Sequence, residues 1–368
     1  MDELKKTCLH DLHLALGATM SPFAGYDMPI EYEGFGIEAE HNAVRNACGV
    51  FDVSHMGEIG IYGNDAEYFV NRVFTNDVTA APIGQCFYGM MLNEDGGVVD
   101  DLLVYKRAHN HFLFVVNAAN IEKDERWVLR QAEGYDLSVE LLSGEMAEIA
   151  VQGPKAEELL CSLLEKPEPV RSLAFYTFCE STRDNNLVVI SRTGYTGEDG
   201  FEVYSSEPYV RALWQKLLDK GAVPCGLGCR DTLRFEVGLP LYGNELADDI
   251  TPLEAGLGMF VKLEKPDLIG GEALRRQKEE GPKRKLVGLL IHDRAIARHG
   301  CDVLNAEGEV IGHVTTGYRS ISTGDSVAMA LIDARYAARD TELQVQVRRK
   351  RFPATVVPKK FFKKNYKK

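Results

Sequence analysis

The stretch Gly96-Gly97-Val98-Val99-Asp100-Asp101-Leu102-Leu103-Val104-Tyr105 places two adjacent acids inside an otherwise apolar segment. Residues 98–105 and 112–116 predict the two strands of a hairpin. Because side chains alternate along a strand, Asp100 points to one face, and Asp101 and Tyr105 point to the other. Whichever face is buried then holds a carboxylate, which needs a donor or a cation. One of the pair is a candidate site residue, unless one acid ends the strand and the other binds a backbone amide.

Three further stretches carry candidate polar residues. Residues 191–202 contain three glycines, which would let the backbone approach a ligand or simply form a hairpin loop. Residues 226–234 predict a loop that enters a helix with Arg230 in its first turn. A cation there opposes the helix dipole, so Arg230 either faces an anion or a polar ring or is solvated or ion-paired. Met56 follows His55 at the end of a predicted strand, where a methionine usually packs into a core.

The charge is distributed unevenly. The 368 residues have a net charge of −13, but residues 348–368 hold ten of the 42 bases and no acid. The rest of the chain, residues 1–347, has more acids than bases and is called the acidic body below. Phosphate binding needs a broad basic surface, which this acidic body does not offer. We therefore expect no nucleic-acid partner.

The chain also gives no sign of a membrane segment or a leader. No apolar run reaches the roughly 18 residues that a membrane span requires, and the first residues are of mixed charge. The eight cysteines are scattered and have no His at zinc-ligand spacing, so we expect idle thiols and no metal. The prediction is a cytoplasmic protein without a membrane partner, or a mitochondrial-matrix protein if the source is eukaryotic.

The pattern of elements favours an α+β fold, because strands and helices do not alternate strictly. Residues 270–284 are polar and charged and predict a domain boundary. Beyond them, short strands separated by turn signals predict a small β-barrel. We also find no phosphate loop, dinucleotide fingerprint, His-Glu-x-x-His or Gly-x-Ser-x-Gly motif, so those chemistries lose their usual support.

Seven segments in register resemble the T-protein family of the glycine cleavage system, and the resemblance covers nearly the whole chain. Members of this family are aminomethyltransferases. The matching pieces are Phe23-Ala24-Gly25-x-x-Met28-Pro29-Ile30, Glu40-His41-x-Ala43-Val44-Arg45, and residues 49–58, 93–102, 116–124, 192–202 and 226–234.

This resemblance implies three domains around a central cavity. Two related α+β folate-binding subdomains would be followed by a C-terminal β-barrel. We expect residues 1–275 to form the folate-binding region, with one subdomain of 1–50 and 140–275 and another of 51–139. The barrel and its basic tail would take residues 276–368.

The resemblance also implies the reaction. The aminomethyl carbon carried on the lipoyl group of the H-protein passes to tetrahydrofolate, and ammonia leaves. The implied partners are thus lipoylated H-protein and a small-molecule folate, with tetrahydrofolate as co-substrate.

Eight residues are implied for the site. The family's key acid falls on Asp101, where a fixed carboxylate can stabilise positive charge and take or relay a proton. Asp100, on the opposite face, would mainly affect stability. Positions that match the folate site are Met56, Tyr88, Tyr105, Asn117, Tyr195, Glu202 and Arg230.

Other functions stay open at this stage. A folate-dependent demethylase of the same superfamily would keep the folate site and act on a small methylated substrate. A non-catalytic folate-binding protein would carry a Lys-Gly-Cys-type motif, which is absent, and an oxidase or dehydrogenase would need an additional flavin domain.

The chain departs from the family pattern at Tyr26, Cys229 and residues 320–324, of which the last concerns the lipoyl-side entrance. At the C-terminus, residues 348–351 match the last barrel strands, whereas residues 359–368 are expected to be a free tail. That tail is either solvated or offsets the acidic body when the H-protein docks.

Overall fold

The computed structural model of the chain describes residues 3–183 and 185–366. Its strands are β1 Ala18–Phe23, β2 Tyr26–Tyr32, β3 Gly49–Asp52, β4 Gly57–Gly63, β5 Cys86–Leu92, β6 Val98–Ala108, β7 His111–Val116, β8 Leu137–Leu141, β9 Ala147–Gln152, β10 Phe178–Arg183, β11 Asn186–Ser191, β12 Gly200–Ser205, β13 Val223–Pro224, β14 Arg284–Ile291, β15 Asp302–Leu304, β16 Val310–Arg319, β17 Ser326–Asp333, β18 Glu342–Val347 and β19 Lys350–Val357. Its helices are α1 His10–Ala15, α2 Gly36–Asn46, α3 Ala66–Val73, α4 Ile121–Gln131, α5 Ala156–Ser162, α6 Glu168–Arg171, α7 Glu207–Asp219, α8 Leu227–Glu236 and α9 Gly271–Glu280, with 3₁₀ turns at Ala118–Asn120, Gly258–Phe260 and Ala334–Tyr336.

A six-stranded sheet forms the first layer, in the order β10-β11-β12-β9-β3-β13. Its outer face packs against α1, α5 and α7 around one apolar core. Helix α7 buries Val210, Leu213, Trp214 and Leu217, which follow the i, i+3, i+4, i+7 spacing of a single helix face. Each such side chain stabilises the fold by roughly 1.5–3 kcal/mol when it is fully buried.

A five-stranded sheet forms the second layer, in the order β5-β6-β7-β4-β8, and every neighbouring pair is antiparallel. Strands β6 and β7 form the predicted hairpin. Along β6, Leu102 and Val104 belong to the core under α3 and α4, whereas Leu103 and Tyr105 face the first sheet. A bulge at the β5–β6 pairing puts Val99 in the same core as Leu102, so the predicted alternation starts only at Asp100.

Strands β14 to β19 close into a six-stranded barrel, in agreement with the predicted all-β C-terminal domain. Residues from the second sheet, from residues 246–268 and from the barrel share one core, so the three parts meet at a common junction. The predicted α+β fold with a terminal barrel around a central cavity is confirmed. The domain boundaries stay predictions, and β3, β8 and α9 each cross one of them by a few residues.

The C-terminal segment is not a free tail over the residues that the structure describes. Phe361 packs on Phe235 of α8, and the backbone N–H of Phe362 donates to the carbonyl of Glu236. Asn365 pairs with Gly197 through its backbone, and Tyr366 stacks on Phe175 at 4.2 Å. Residues 358–366 therefore form a strap from the barrel back to the first sheet, and aromatic contacts and backbone hydrogen bonds hold it although four of its nine residues are basic. The last two residues of the predicted tail lie outside the described range.

Candidate functional site

A cavity of about 790 Å³ lies where the two sheets, residues 238–260 and the strap meet. Strands β6 and β12 bring carboxyl groups to it, and α8 brings a guanidinium group. Seven of the eight predicted site residues line this cavity: Met56, Tyr88, Asp101, Asn117, Tyr195, Glu202 and Arg230.

Asp101 is half-buried in the cavity wall, and both of its carboxyl oxygens are held. The hydroxyl of Tyr88 donates to one oxygen at 2.9 Å, and the side-chain amide of Asn117 donates to the other at 2.9 Å. Burial raises the pKa of Asp101, and the charge of Asp100 raises it further. Asp101 is therefore a fixed carboxylate with an unusually high proton affinity, as a general base needs.

Asp100 is fully buried behind Asp101 and is more than a structural neighbour. It accepts hydrogen bonds from the backbone N–H of Asn117 at 3.0 Å, from the amide of Asn117 at 2.9 Å and from the amide of Asn120 at 2.6 Å. The alternative in which one of the two acids binds a backbone amide thus describes part of the surroundings of Asp100. Because one amide group of Asn117 contacts both acids, Asp100 also helps to orient Asp101.

Tyr105 is the predicted site residue that the structure does not bring to the cavity. It has no exposed surface, and its hydroxyl lies 3.0 Å from that of Ser191 and 2.9 Å from that of Tyr204. Tyr204 itself lines the cavity. Strand alternation correctly put Tyr105 on the face of Asp101, but it could not show that the first sheet covers this part of the face.

Glu202 and Arg230 form a second polar region of the cavity. Glu202 is buried on β12 and accepts a hydrogen bond from Thr193. Burial raises the pKa of Glu202, while Thr193 and then Arg230 oppose the rise. The guanidinium of Arg230 lies 4.8 Å from the ring centroid of Tyr195, within the range of a cation–π contact. Arg230 thus faces the aromatic ring of Tyr195, and its charge acts on Glu202, which matches the first of the two alternatives left open for this cation.

The glycines of residues 191–202 serve packing more than access to a ligand. A Cβ atom on Gly194 would lie 2.1 Å from the amide oxygen of Gln152, and one on Gly200 would meet the same side chain. Gly197 has a φ of +82° and would clash with Val237. The close approach that the glycines permit is therefore to neighbouring protein atoms.

Glu148 was missed in the sequence, and His55 was named there only beside Met56. Glu148 on β9 and His55 are both buried at the cavity, and Glu148 Oε2 and His55 Nδ1 find no hydrogen-bond partner among the described residues. Burial lowers the pKa of His55 to about 4 and raises that of Glu148. An acid within an apolar strand is the signal that made the pair Asp100 and Asp101 a candidate, and in residues 147–151 the same signal could have found Glu148. The strap also contributes three lysines to the lining: Lys359, Lys360 and Lys364.

One buried group away from the cavity has ligand-type atoms close together. Within the described residues, Glu40, Cys225 and Cys229 lie within 4.8 Å of one another. However, the two Glu40 oxygens already accept the backbone N–H groups of Tyr32 and Gly226. Burial also raises the pKa of both thiols, which disfavours the thiolate that binds metals. We assign no metal to this group, and the absence of a metal from the site stays a prediction. All eight cysteines are free.

Comparison with known proteins agrees with this architecture. Residues 9–265 match the family model of the GCVT N-terminal domain, and residues 284–363 match that of the glycine cleavage T-protein C-terminal barrel domain. An aminomethyltransferase of Caldanaerobacter subterraneus is 50% identical over 100% of this chain and 98% of its own length. One of Thermoanaerobacter pseudethanolicus is 48% identical over the whole of both chains. The crystal structure of the glycine cleavage system aminomethyltransferase T from Bartonella henselae matches with a TM-score of 0.93, at 35% identity, over 100% of both chains.

The fold and the similarity over the full length define the class of this protein, which is an enzyme that transfers an aminomethyl group. The chain belongs to the glycine cleavage T-protein family. These matches favour aminomethyl transfer over the folate-dependent demethylation that the sequence left open.

Proposed function

We propose that the cavity binds tetrahydrofolate and receives the aminomethyl-dihydrolipoyl arm of an H-protein. The one-carbon unit is then transferred to the folate with release of ammonia. In the balanced reaction, the methylene carbon leaves sulfur and nitrogen and bridges N5 and N10 of the folate. The hydrogens that N5 and N10 lose are those that the sulfur and the departing amine gain. The reaction therefore needs a group that handles a proton beside an electron-poor carbon.

The observation that carries the proposal is the carboxylate of Asp101, held on both oxygens at the cavity wall. A folate nitrogen becomes cationic as it attacks, so a fixed negative charge nearby lowers the barrier. The raised pKa allows Asp101 to take the proton and pass it on. In this role Asp101 is the catalytic base.

The distribution of charge in the cavity supports folate as the co-substrate. The sheets contribute Asp101 and Glu202, and the strap contributes Lys359, Lys360 and Lys364. A folate has a pteridine ring rich in N–H donors at one end and an anionic glutamate at the other. The donors suit the carboxyl-bearing walls, and the glutamate suits the lysines.

A cytoplasmic location is part of the proposal and is supported by the bacterial relatives. Among the helices of the described residues, none combines the length and the apolar composition of a membrane span.

The test is ammonia release from H-protein loaded with the aminomethyl group, with and without tetrahydrofolate. We expect release to be strongly accelerated by tetrahydrofolate and to be matched by methylene-tetrahydrofolate. Sarcosine and dimethylglycine in place of the H-protein form the comparison arm. Turnover of those amines, without folate-dependent release from the H-protein, would replace this proposal with the demethylase.

A further inference from the structure

Asp124 on α4 is a buried acid that the proposed reaction does not use. It has no exposed surface, and no hydrogen-bond donor of the described residues reaches either carboxyl oxygen. The polar side chain against it is Asp100. The neighbouring Lys123 does not neutralise the pair by direct contact, because its ammonium donates to the carbonyl of Val99 and to the hydroxyl of Tyr242.

Two carboxyl groups in contact inside a protein share one proton, because two adjacent buried negative charges are too costly. The hydrogen bonds decide which group keeps it. Asp100 receives three N–H donors, which favour its ionised form, whereas Asp124 receives none. Burial and then the charge of Asp100 raise the pKa of Asp124. The proton therefore belongs to Asp124, whose O–H donates to Asp100.

We propose that Asp124 is a positioning residue for the transfer reaction: as a neutral acid, it locks Asp100 in the orientation that holds Asn117, and Asn117 holds Asp101. This inference rests on the proposed function, because it assigns Asp101 as the group whose geometry matters. Asp124 touches no substrate and acts only through Asp100 and Asn117.

The path from Asp100 to the cavity consists of direct hydrogen bonds. The side-chain amide of Asn117 lies 2.9 Å from a carboxyl oxygen of Asp100 and 2.9 Å from one of Asp101. A rotation of Asp100 would therefore remove one of the acceptors that orient this amide, which also donates to the backbone carbonyl of Asp101 at 3.0 Å. It would loosen the hold of Asn117 on the base, and Tyr88 would be the other donor to it. A misplacement of this kind costs rate because the reacting groups must be aligned before the chemical step.

The ionisation of Asp101 should report on this pair. Among the described residues, the titratable groups whose charge acts on Asp101 include Asp100, Asp124, Tyr88, Tyr195 and Tyr242. Burial raises the pKa of each of the three tyrosines, so they stay neutral near pH 7. The pair of Asp100 and Asp124 is thus the charged neighbour whose protonation can change the acid limb of the rate profile.

The experiment compares Asp124→Asn with Asp124→Leu in the full-length enzyme, and Glu122→Gln is the control. Glu122 is an exposed acid on the same helix. Asparagine keeps an N–H donor for Asp100, whereas leucine has a similar volume and no donor. We expect Asp124→Asn to retain kcat within about threefold of the wild type, with the acid limb of kcat/KM unmoved. We expect Asp124→Leu to lose about 10–100-fold in kcat, as when the outer partners that orient metal ligands are removed. The KM for tetrahydrofolate should change little.

Three outcomes would overturn the inference. If Asp124→Leu kept a normal kcat, the contact would have no effect on the base. A shift of the acid limb to lower pH in Asp124→Asn would mean that Asp124 carries a negative charge in the wild type. An equal loss of kcat in both variants would show a structural requirement for the acid itself. Should the leucine variant fail to fold, the pH profile of the asparagine variant still decides. A wild type without folate-dependent ammonia release would instead refute the proposed function.

Discussion

At the scale of single residues, the neighbouring acids Asp100 and Asp101 differ because of what surrounds them. Asp100 is fully enclosed and meets three amide donors, whereas Asp101 reaches the cavity and is held by Tyr88 and Asn117. The amide shared by the two acids means that a change at Asp100 should reach the reaction centre. Asp100 was expected to affect mainly stability. Its shared contact with Asn117 means that it should also affect catalysis through Asp101.

We predict that Asp101→Asn lowers turnover by about 10²–10⁴, the usual contribution of general acid–base catalysis. Folate affinity should change much less, because the asparagine keeps the shape of the side chain. The measurements are kcat for ammonia release and the equilibrium binding of tetrahydrofolate to the same preparation. Normal turnover in this variant would remove Asp101 from the catalytic role.

The pH dependence of the wild type should have an acid limb that belongs to Asp101. Since burial and Asp100 raise its pKa above the ordinary value, the base is protonated, and activity is lost, at a higher pH than for an exposed aspartate. The rate should thus fall as the pH falls through this raised value. The profile of kcat/KM for the wild type tests this, and Asp101→Asn should lack the limb.

At the scale of elements, the last residue of α8 joins this helix to α2 and to the barrel. Glu236 accepts hydrogen bonds from Ser320 at 2.7 Å and from the backbone N–H of Ser322 at 2.9 Å. It also lies 3.2 Å from His41 and 3.1 Å from Arg45, both on α2. The barrel loop of residues 320–324, which departs from the family pattern, is therefore docked on the helix that carries Arg230.

We predict that Glu236→Gln lowers the thermal stability and flattens its acid dependence. Burial alone would raise the pKa of Glu236, but hydrogen bonds from His41 and Ser322 outweigh burial and hold it well below its usual range. A carboxylate with a depressed pKa stabilises the fold at pH values above about 4.3, the usual value for Glu, and this contribution is lost as the pH falls towards the folded-state value. Breaking a buried ion pair costs about 3–5 kcal/mol.

Melting temperatures of wild type and Glu236→Gln between pH 3 and pH 7 test this prediction. The two curves should converge on the acid side. A constant difference at every pH would show that the ionised form of Glu236 contributes nothing. Glu272→Gln on α9 is a suitable control, because Glu272 is exposed and its ion pair with Arg276 is long, at 3.4 Å.

At the scale of the whole molecule, the strap of residues 358–366 forms part of the wall of the cavity between the two sheets. Lys359 reaches the carbonyl of Ala255, and the ring of Phe362 lies 4.5 Å from the guanidinium of Arg45. Burial lowers the pKa values of Lys359 and Lys364 to about 8. A bound anion at the cavity would raise them again and keep both lysines charged.

We predict that removal of residues 363–368 weakens folate binding by about tenfold at low salt, equivalent to about 1.4 kcal/mol. The deletion takes away Lys364 from the lining and the stacking of Tyr366 on Phe175. The loss should shrink at high salt, because salt screens the electrostatic part. Lys364→Gln and Tyr366→Ala separate the charge from the stacking, and Lys350→Gln, at an exposed position of β19, is the control.

Titration of each variant with tetrahydrofolate at two salt concentrations is the measurement. Equal affinity in the wild type and the deletion would show that the strap does not contact the folate. The apparent KM for H-protein at low salt is a second readout, because the basic segment could also offset the negative charge of the acidic body during docking.

The amino-acid sequence by itself determined the features that depend on residues close together in the chain. The hairpin around Asp101, the terminal barrel and the opposite faces of the two acids follow from periodicity and turn residues, which act over a few residues. The family motifs added Glu202 and Arg230, which are far apart in the chain. Tertiary packing alone decided that the first sheet covers Tyr105, that His55 reaches the cavity, and that the basic C-terminus folds back as a strap. These outcomes depend on which distant surfaces are buried together, and a polar or basic side chain carries no local signal of the surface that will cover it.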